Sequence, residues 1–287
     1  MRRPSARLFA LLALTGCGAV QADGRPPGVR CLAFEPDMTV SSPFDPGYTQ
    51  GLIDEVRRSL RAIEEALEVE CPSTLRVEFE TVEMPEVRMT QLPDGSFDVE
   101  GFRTPTLHGY RGYAAFDPDA PKIKVYMAPE GKATLHGGGE ASAILQIDSD
   151  SLIRHELAHI GVHLAGLDGP TWFNEGVAEE FEAREFDATG ELVPVEMPAS
   201  MQRALARYDD YSLRDVLEWN EDFRAASTGD EKVFRMGRPL ALALLRFLLQ
   251  RAPETGFRAR LEWIRALSDD RVLALEGEWR AWMEALR

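Results

Sequence analysis

Two histidines four residues apart, with a glutamate beside the first, constrain this chain more than any other feature: His155-Glu156-Leu157-Ala158-His159. Residues four apart stack on one face of a helix, so both imidazoles can reach a single tetrahedrally held ion. Glu156 then sits next to the remaining coordination position, where it can take a proton from an attacking water. Ile153, Leu157, Ile160 and Leu164 follow one another at steps of four, three and four. That spacing predicts one apolar stripe, with His155 and His159 on roughly the opposite side. Asp148, Ser149, Asp150 and Ser151 crowd the start with capping residues, and Gly166 and Gly169-Pro170 close the segment, so a helix is expected over 152–164.

A catalytic metal of this kind needs a third protein ligand and an open position. Glu175 follows His159 by 16 residues across the Gly-Pro turn, inside Trp172-Phe173-Asn174-Glu175-Gly176-Val177-Ala178-Glu179. A second helix is expected to open near Thr171 and run to residue 185, and two antiparallel helices joined by such a turn can meet at one ion. Glu179, one turn beyond Glu175, reads either as the acceptor for the second nitrogen of a ligand imidazole or as a solvated acid. His163 lies eight residues from His155, about 12 Å along the axis. It is too far to share the ion and reads as a rim or structural residue. His136 precedes Gly137-Gly138-Gly139, but no Gly-x-Ser-x-Gly elbow accompanies it, so a flexible loop is expected there.

HELAH followed by WFNEGVAEEFE resembles the gluzincin clan of metallopeptidases, whose members include thermolysin and the aminopeptidase N family, and most closely its "peptidase MA-like" bacterial members. The resemblance covers residues 154–185. It implies a zincin-type active-site helix, one Zn2+ per chain held by His155, His159 and Glu175, Glu156 as catalytic base, and hydrolysis of peptide bonds in a peptide or protein substrate. It also implies that the residue one turn past the glutamate ligand, here Glu179, holds a histidine. Two departures stand out. The chain has no Gly-x-Met-Glu-Asn stretch, which takes support from an aminopeptidase assignment. The clan commonly offers a Tyr or His to the oxyanion, and this chain instead reads Val-Phe-Arg-Met-Gly-Arg-Pro from Val233 to Pro239. Tyr208, Tyr211, Arg235 and Arg238 are the candidates for that role.

The remainder reads as an α+β fold. Residues 23–47, with Pro26, Pro27, Pro36, Pro43 and Pro46, are expected to form an irregular arm or linker. An amphipathic helix over 48–69 and strands at 75–82, 96–102 and 122–127 make a helix-and-sheet N-terminal lobe, 48–147. A helical lobe, 148–287, carries the metal site, with further helices at 197–219, 233–251 and 256–286.

Arg2 and Arg3, an apolar run over 8–14 and small residues after it have the layout of an export signal over 1–22. Leu14-Thr15-Gly16-Cys17 has the form of a lipobox and predicts lipidation at Cys17, while Val20-Gln21-Ala22 suits plain cleavage after Ala22. Either route leaves Cys31 and Cys71, an even pair in a compartment where a disulfide persists. The expected location is the cell envelope or the exterior, with membrane contact only through a lipid anchor and no transmembrane helix in the mature chain. A net charge of -16 excludes a nucleic-acid partner, which needs clustered Lys and Arg. The rival expectation is a catalytically silent, zinc-binding surface lipoprotein that recognises a partner through its acidic exterior.

Overall fold

The computed structural model describes residues 30–34, 38–70, 75–81, 88–91, 97–100, 112–115, 121–127, 132–136, 142–146, 149–219 and 231–287. An antiparallel pair, β1 (Arg30–Phe34) and β2 (Met38–Ser42), leads into helix α1 (Pro46–Leu67), and the chain returns as β3 (Leu75–Thr81), parallel to β2. The stretch read as an irregular arm thus contains two strands. None of its prolines falls within either strand. Pro46 takes the first helical position of α1, and Asp45 Oδ1 accepts from the backbone N–H groups of Gly47 and Tyr48 at 2.9 and 3.0 Å.

β4 (Arg88–Gln91) and β5 (Phe97–Glu100) pair with each other, antiparallel. β6 (Gly112–Ala115) and β7 (Lys122–Met127) complete a five-stranded sheet in the order β1-β2-β3-β7-β6. The strands expected at 75–82 and 122–127 are parallel neighbours in it, whereas the one expected at 96–102 belongs to the separate β4–β5 ladder. Leu75, Val77 and Phe79 of β3 and Ile123 and Val125 of β7 are buried on one face. On the other face, Lys122 Nζ lies 2.7 Å from Glu78 Oε1. β8 (Lys132–His136) pairs with β9 (Ser142–Gln146), and His136 stands opposite Ser142. Ladder pairing fixes its backbone, so His136 is a strand residue and not part of a flexible loop.

Helix α2 (Ser149–Leu164) packs against α1, β6 and β7 and, elsewhere on its surface, against α3 (Thr171–Glu182). It is therefore buried nearly all round rather than along one stripe: Leu152, Ile153, Leu157, Ala158, Ile160 and Val162 are all in the core. Leu164, expected on that stripe, is exposed, because the helix stops there and the chain turns away from its packing partners. Gly166 (φ 65°) makes the turn, with Leu167 N–H donating to Val162 C=O and Gly166 N–H to His163 C=O, both at 2.9 Å.

Past α3, which ends at Glu182 rather than 185, come a short hairpin of β10 (Arg184–Phe186) and β11 (Leu192–Pro194) and then, among the described residues, helices. The helical stretch expected over 197–219 divides into α4 (Ala199–Arg207) and α5 (Leu213–Leu217), because Ser212 and Asp215 form a capping box that starts a new helix. α6 (Glu231–Leu249) follows, and the segment expected over 256–286 is α7 (Phe257–Arg265), α8 (Asp269–Leu273) and α9 (Glu276–Leu286). Among the described residues the fold is mixed and mostly helical, with a small sheet, and no helix is long and apolar enough to cross a membrane. One apolar core joins Val77 and Ile123 of the sheet, Ile53 and Ile63 of α1, Leu157 of α2, Val177 of α3, Leu244 of α6 and Trp279 of α9.

Inside that core sits one ion pair that sets the rotation of α2. Arg154 Nη1 lies 2.8 Å from Glu55 Oε1 of α1, with only 5% and 3% of the two side chains exposed. Ser59 Oγ donates to the same oxygen at 2.8 Å, and Arg58 pairs with the other. Removing one partner of such a pair strands a buried charge. Glu55→Ala is expected to lower the unfolding free energy by about 3–5 kcal/mol in urea denaturation, and Glu55→Leu with Arg154→Leu to recover most of that loss. Wild-type stability in Glu55→Ala would show that the pair does not hold α1 against α2.

Candidate metal centre

The residue after Arg154 is His155, about 100° further round the helix, so pinning Arg154 to α1 turns His155 towards α3. On α3, the side chain of Asn174 clamps the interhelical turn. Its Oδ1 accepts from Gly169 N–H and its Nδ2 donates to Gly169 C=O, each at 2.9 Å. The next residue is Glu175. Gly176 lets α3 lie close to α6, because a Cβ there would fall 2.9 Å from the carbonyl oxygen of Ala241. α6 brings Arg238, and beside it Gly237 leaves room for Trp219: a Cβ on Gly237 would come within 1.9 Å of the indole.

These elements bring three donors together. His155 Nε2 and His159 Nε2 are 3.3 Å apart, His155 Nε2 lies 3.4 Å from Glu175 Oε2, and His159 Nε2 lies 3.3 Å from Glu175 Oε1. The three side chains thus form a compact triangle, each oxygen of Glu175 facing one imidazole, that can hold a metal ion. His155 is wholly buried and Glu175 7% exposed, while the His159 side chain keeps 17% of its surface and marks the open side. Glu156 is buried. No hydrogen bond or ion pair among the described residues engages its carboxylate.

The surrounding charge is unbalanced towards acid. Arg238 Nε lies 3.1 Å from Glu175 Oε2, and His155 Nδ1 lies 2.9 Å from Glu182 Oε2. Burial disfavours charge on His155, but contacts to Glu175 and Glu182 outweigh it and push its pKa up to about 10. Burial works against ionised Glu175 too, yet Arg238 and then the two histidines hold it well below the usual carboxylate range. Glu156 moves the other way, raised by burial despite His155, His159 and Arg238 nearby.

Glu179, the sequence candidate for supporting a ligand histidine, is buried with a carboxylate oxygen within 4.8 Å of donor atoms of His155 and Glu182. The carboxylate in direct contact with His155 Nδ1 is nevertheless Glu182, which sequence reasoning missed. The available signal was that 175, 179 and 182 share one helix face. His163 sits on the exposed end of α2, Nδ1 2.9 Å from Asp168 Oδ2. Of the four oxyanion candidates, Arg238 stands at the site. Tyr208 donates its hydroxyl to Glu284 Oε2 at 2.7 Å, and Tyr211 is a core residue whose carbonyl accepts from Arg280. The side chain of Arg235 lies outside the described residues, as do Cys17 and Cys71 and hence the expected pairing of Cys71 with Cys31 of β1. The export segment, 1–22, also lies outside them. Searched against models of known families and against curated proteins, the sequence matches none.

Proposed function

We propose that this chain is an exported zinc metallopeptidase of gluzincin type, with α2 as its active-site helix and a peptide or protein as substrate. The observation that carries the reading is the donor triangle. Nitrogen and oxygen ligands about 2.0–2.1 Å from a tetrahedral zinc lie about 3.3–3.4 Å from one another, which is the spacing of the two imidazole nitrogens and of each from its nearer Glu175 oxygen. Two imidazoles and one carboxylate, with a fourth side left open, are also the donor set of a catalytic rather than a structural zinc site. The export segment and the Cys17 lipobox support an envelope or extracellular location.

Zinc in this position supplies Lewis-acid polarisation of the scissile carbonyl and brings the pKa of an attacking water towards about 7. Glu156, buried beside the first ligand and engaged by no other described group, accepts the proton of that water and passes it to the leaving amine. The amide C–N bond breaks and the water oxygen ends in the new carboxylate. Arg238, the cation at the site, is the group to which the oxyanion role falls. The carboxylate of Glu156, which no hydrogen bond or ion pair among the described residues engages, favours this reading over a silent zinc-binding surface lipoprotein, because a structural zinc has no use for a base there.

Elemental mass spectrometry of the chain after zinc-replete purification is expected to find about one zinc per chain, absent from both His155→Ala and Glu175→Ala. Purified wild type without metal would overturn the assignment. Glu156→Gln is expected to keep its zinc and to lose at least about 100-fold in cleavage of a peptide library that the wild type cuts. Undiminished turnover in that variant would remove Glu156 from the mechanism, and a zinc-loaded wild type that cuts nothing in the library would favour the silent lipoprotein.

A further inference from the structure

We propose that the cleft between α1 and the β10–β11 hairpin is a binding site for a small organic carboxylate with an apolar body, the chemistry of a peptide's terminus or of a free aliphatic acid. The cleft holds about 770 Å3, the size of a small-molecule site, and shares no residue with the donor triangle. Two local patterns build its walls. Asp54, Arg58, Arg61 and Glu65 follow one another at steps of four, three and four on the exposed side of α1, while Ile53, Val56 and Ile63 face the core. The hairpin lies over that exposed side, with the Arg58 guanidinium 4.0 Å from the centre of the Phe186 ring. Asp187 Oδ1 accepts from the backbone N–H groups of Thr189 and Glu191 at 2.8 and 3.1 Å, which fixes the turn of the hairpin and hence the second wall.

The charge within the cleft selects the ligand. Buried Glu55 is already answered by buried Arg154, yet Arg58 pairs with it too. Buried Glu180 is already answered by Arg246 at 2.7 Å, yet Arg184 pairs with it too, at 3.3 Å. One carboxylate between two guanidiniums leaves one positive charge over, and Arg58 and Arg184 carry that excess into the cleft from its two walls. Arg61, one turn on from Arg58, is engaged by no hydrogen bond or ion pair among the described residues. Arg57 is answered by Asp54 at 3.9 Å, so three guanidiniums stand against two further lining acids, Glu65 and Glu191. That balance suits one carboxylate, whose two oxygens match the forked N–H groups of arginine. It does not suit a polyanion or an anionic membrane surface, which the lining acids and the net charge of -16 repel. Ala62, Ala66 and Leu192 line the cleft between the charges and offer contact to an aliphatic body.

The test titrates the full chain by calorimetry with N-acetyl-leucine, N-acetyl-leucinamide, 4-methylpentanoate and inorganic phosphate. The side-chain N–H signal of Arg61, identified as the one missing from Arg61→Gln, is followed by nitrogen-edited NMR. N-acetyl-leucine is expected to bind and to shift that signal, and its amide, which lacks the carboxylate, to bind at least about 10-fold more weakly. The two sources separate on 4-methylpentanoate: affinity equal to that of N-acetyl-leucine assigns a free aliphatic acid, and weaker affinity assigns a peptide terminus. Arg61→Gln, a change on an exposed helix face, is expected to weaken N-acetyl-leucine by about 10-fold. His155→Ala is expected to leave that affinity unchanged, so the cleft is tested apart from the metal centre and from the peptidase reading. Binding lost in His155→Ala but kept in Arg61→Gln would put the ligand at the metal centre and overturn the proposal. Equal affinity for acid and amide, phosphate bound as tightly as N-acetyl-leucine, or no binding of any probe would overturn it as well.

Discussion

Where α2 meets α3 the protein buries two imidazoles and several carboxylates side by side, and groups of this kind leave water only at considerable expense unless charge is matched. Much of the helical half can be understood as the matching. Arg238 comes from α6 to Glu175, and Glu182 comes from the end of α3 to His155. Glu180, on another face of α3, is held by Arg184 at 3.3 Å and by Arg246 of α6 at 2.7 Å. On the far side of α2, Arg154 is answered by Glu55 of α1. Apart from the local Glu180–Arg184 contact, each pair ties one helix to another, so the polar groups that burial would otherwise penalise become the contacts that orient the helices around the site.

Backbone devices give that arrangement its precision. Asn174 grips both polar groups of Gly169 one residue before the glutamate of the donor triangle. Gly176, one residue after it, lets the backbones of α3 and α6 approach. Gly166, in the left-handed conformation, ends α2 before the turn to α3, and its carbonyl accepts from Arg265 of α7. The flanks of Glu175 thus serve packing and turn geometry rather than chemistry. In a motif such as Trp-Phe-Asn-Glu-Gly, one residue holds the position and its neighbours hold the helix that carries it.

Parts of this were legible in the chain itself. The alternation in 75–81 and 122–127, the glycines after 164, and the spacing of His155, Glu156, His159 and Glu175 identified local elements to within a few residues. The reading went astray where one local signal has two structural meanings. Five prolines between 26 and 46 suggested an irregular arm, yet none falls inside β1 or β2 and Pro46 starts a helix, since proline is excluded from a ladder's interior but suits a first helical position. Three-and-four spacing over 197–219 and 256–286 suggested helical stretches without showing their breaks, and Ser212 and Ser268 begin new helices inside them. The stripe through Ile153 and Leu157 suggested a one-sided surface helix, and α2 is covered by both the sheet and α3.

The amino-acid order by itself determined which residues can lie on one helix face and where each helix starts and stops, because those properties depend on neighbours a few positions away. It could present Glu179 and Glu182 alike as supports for a ligand histidine, and four residues as donors to an oxyanion. Only the tertiary structure chose Glu182 for the His155 ring and brought Arg238 to Glu175. Those choices turn on the separation and rotation of α2, α3 and α6 to within an ångström or so. Separation and rotation are set by the glycine contacts, the buried ion pairs and the shared core, whose members lie far apart in the chain.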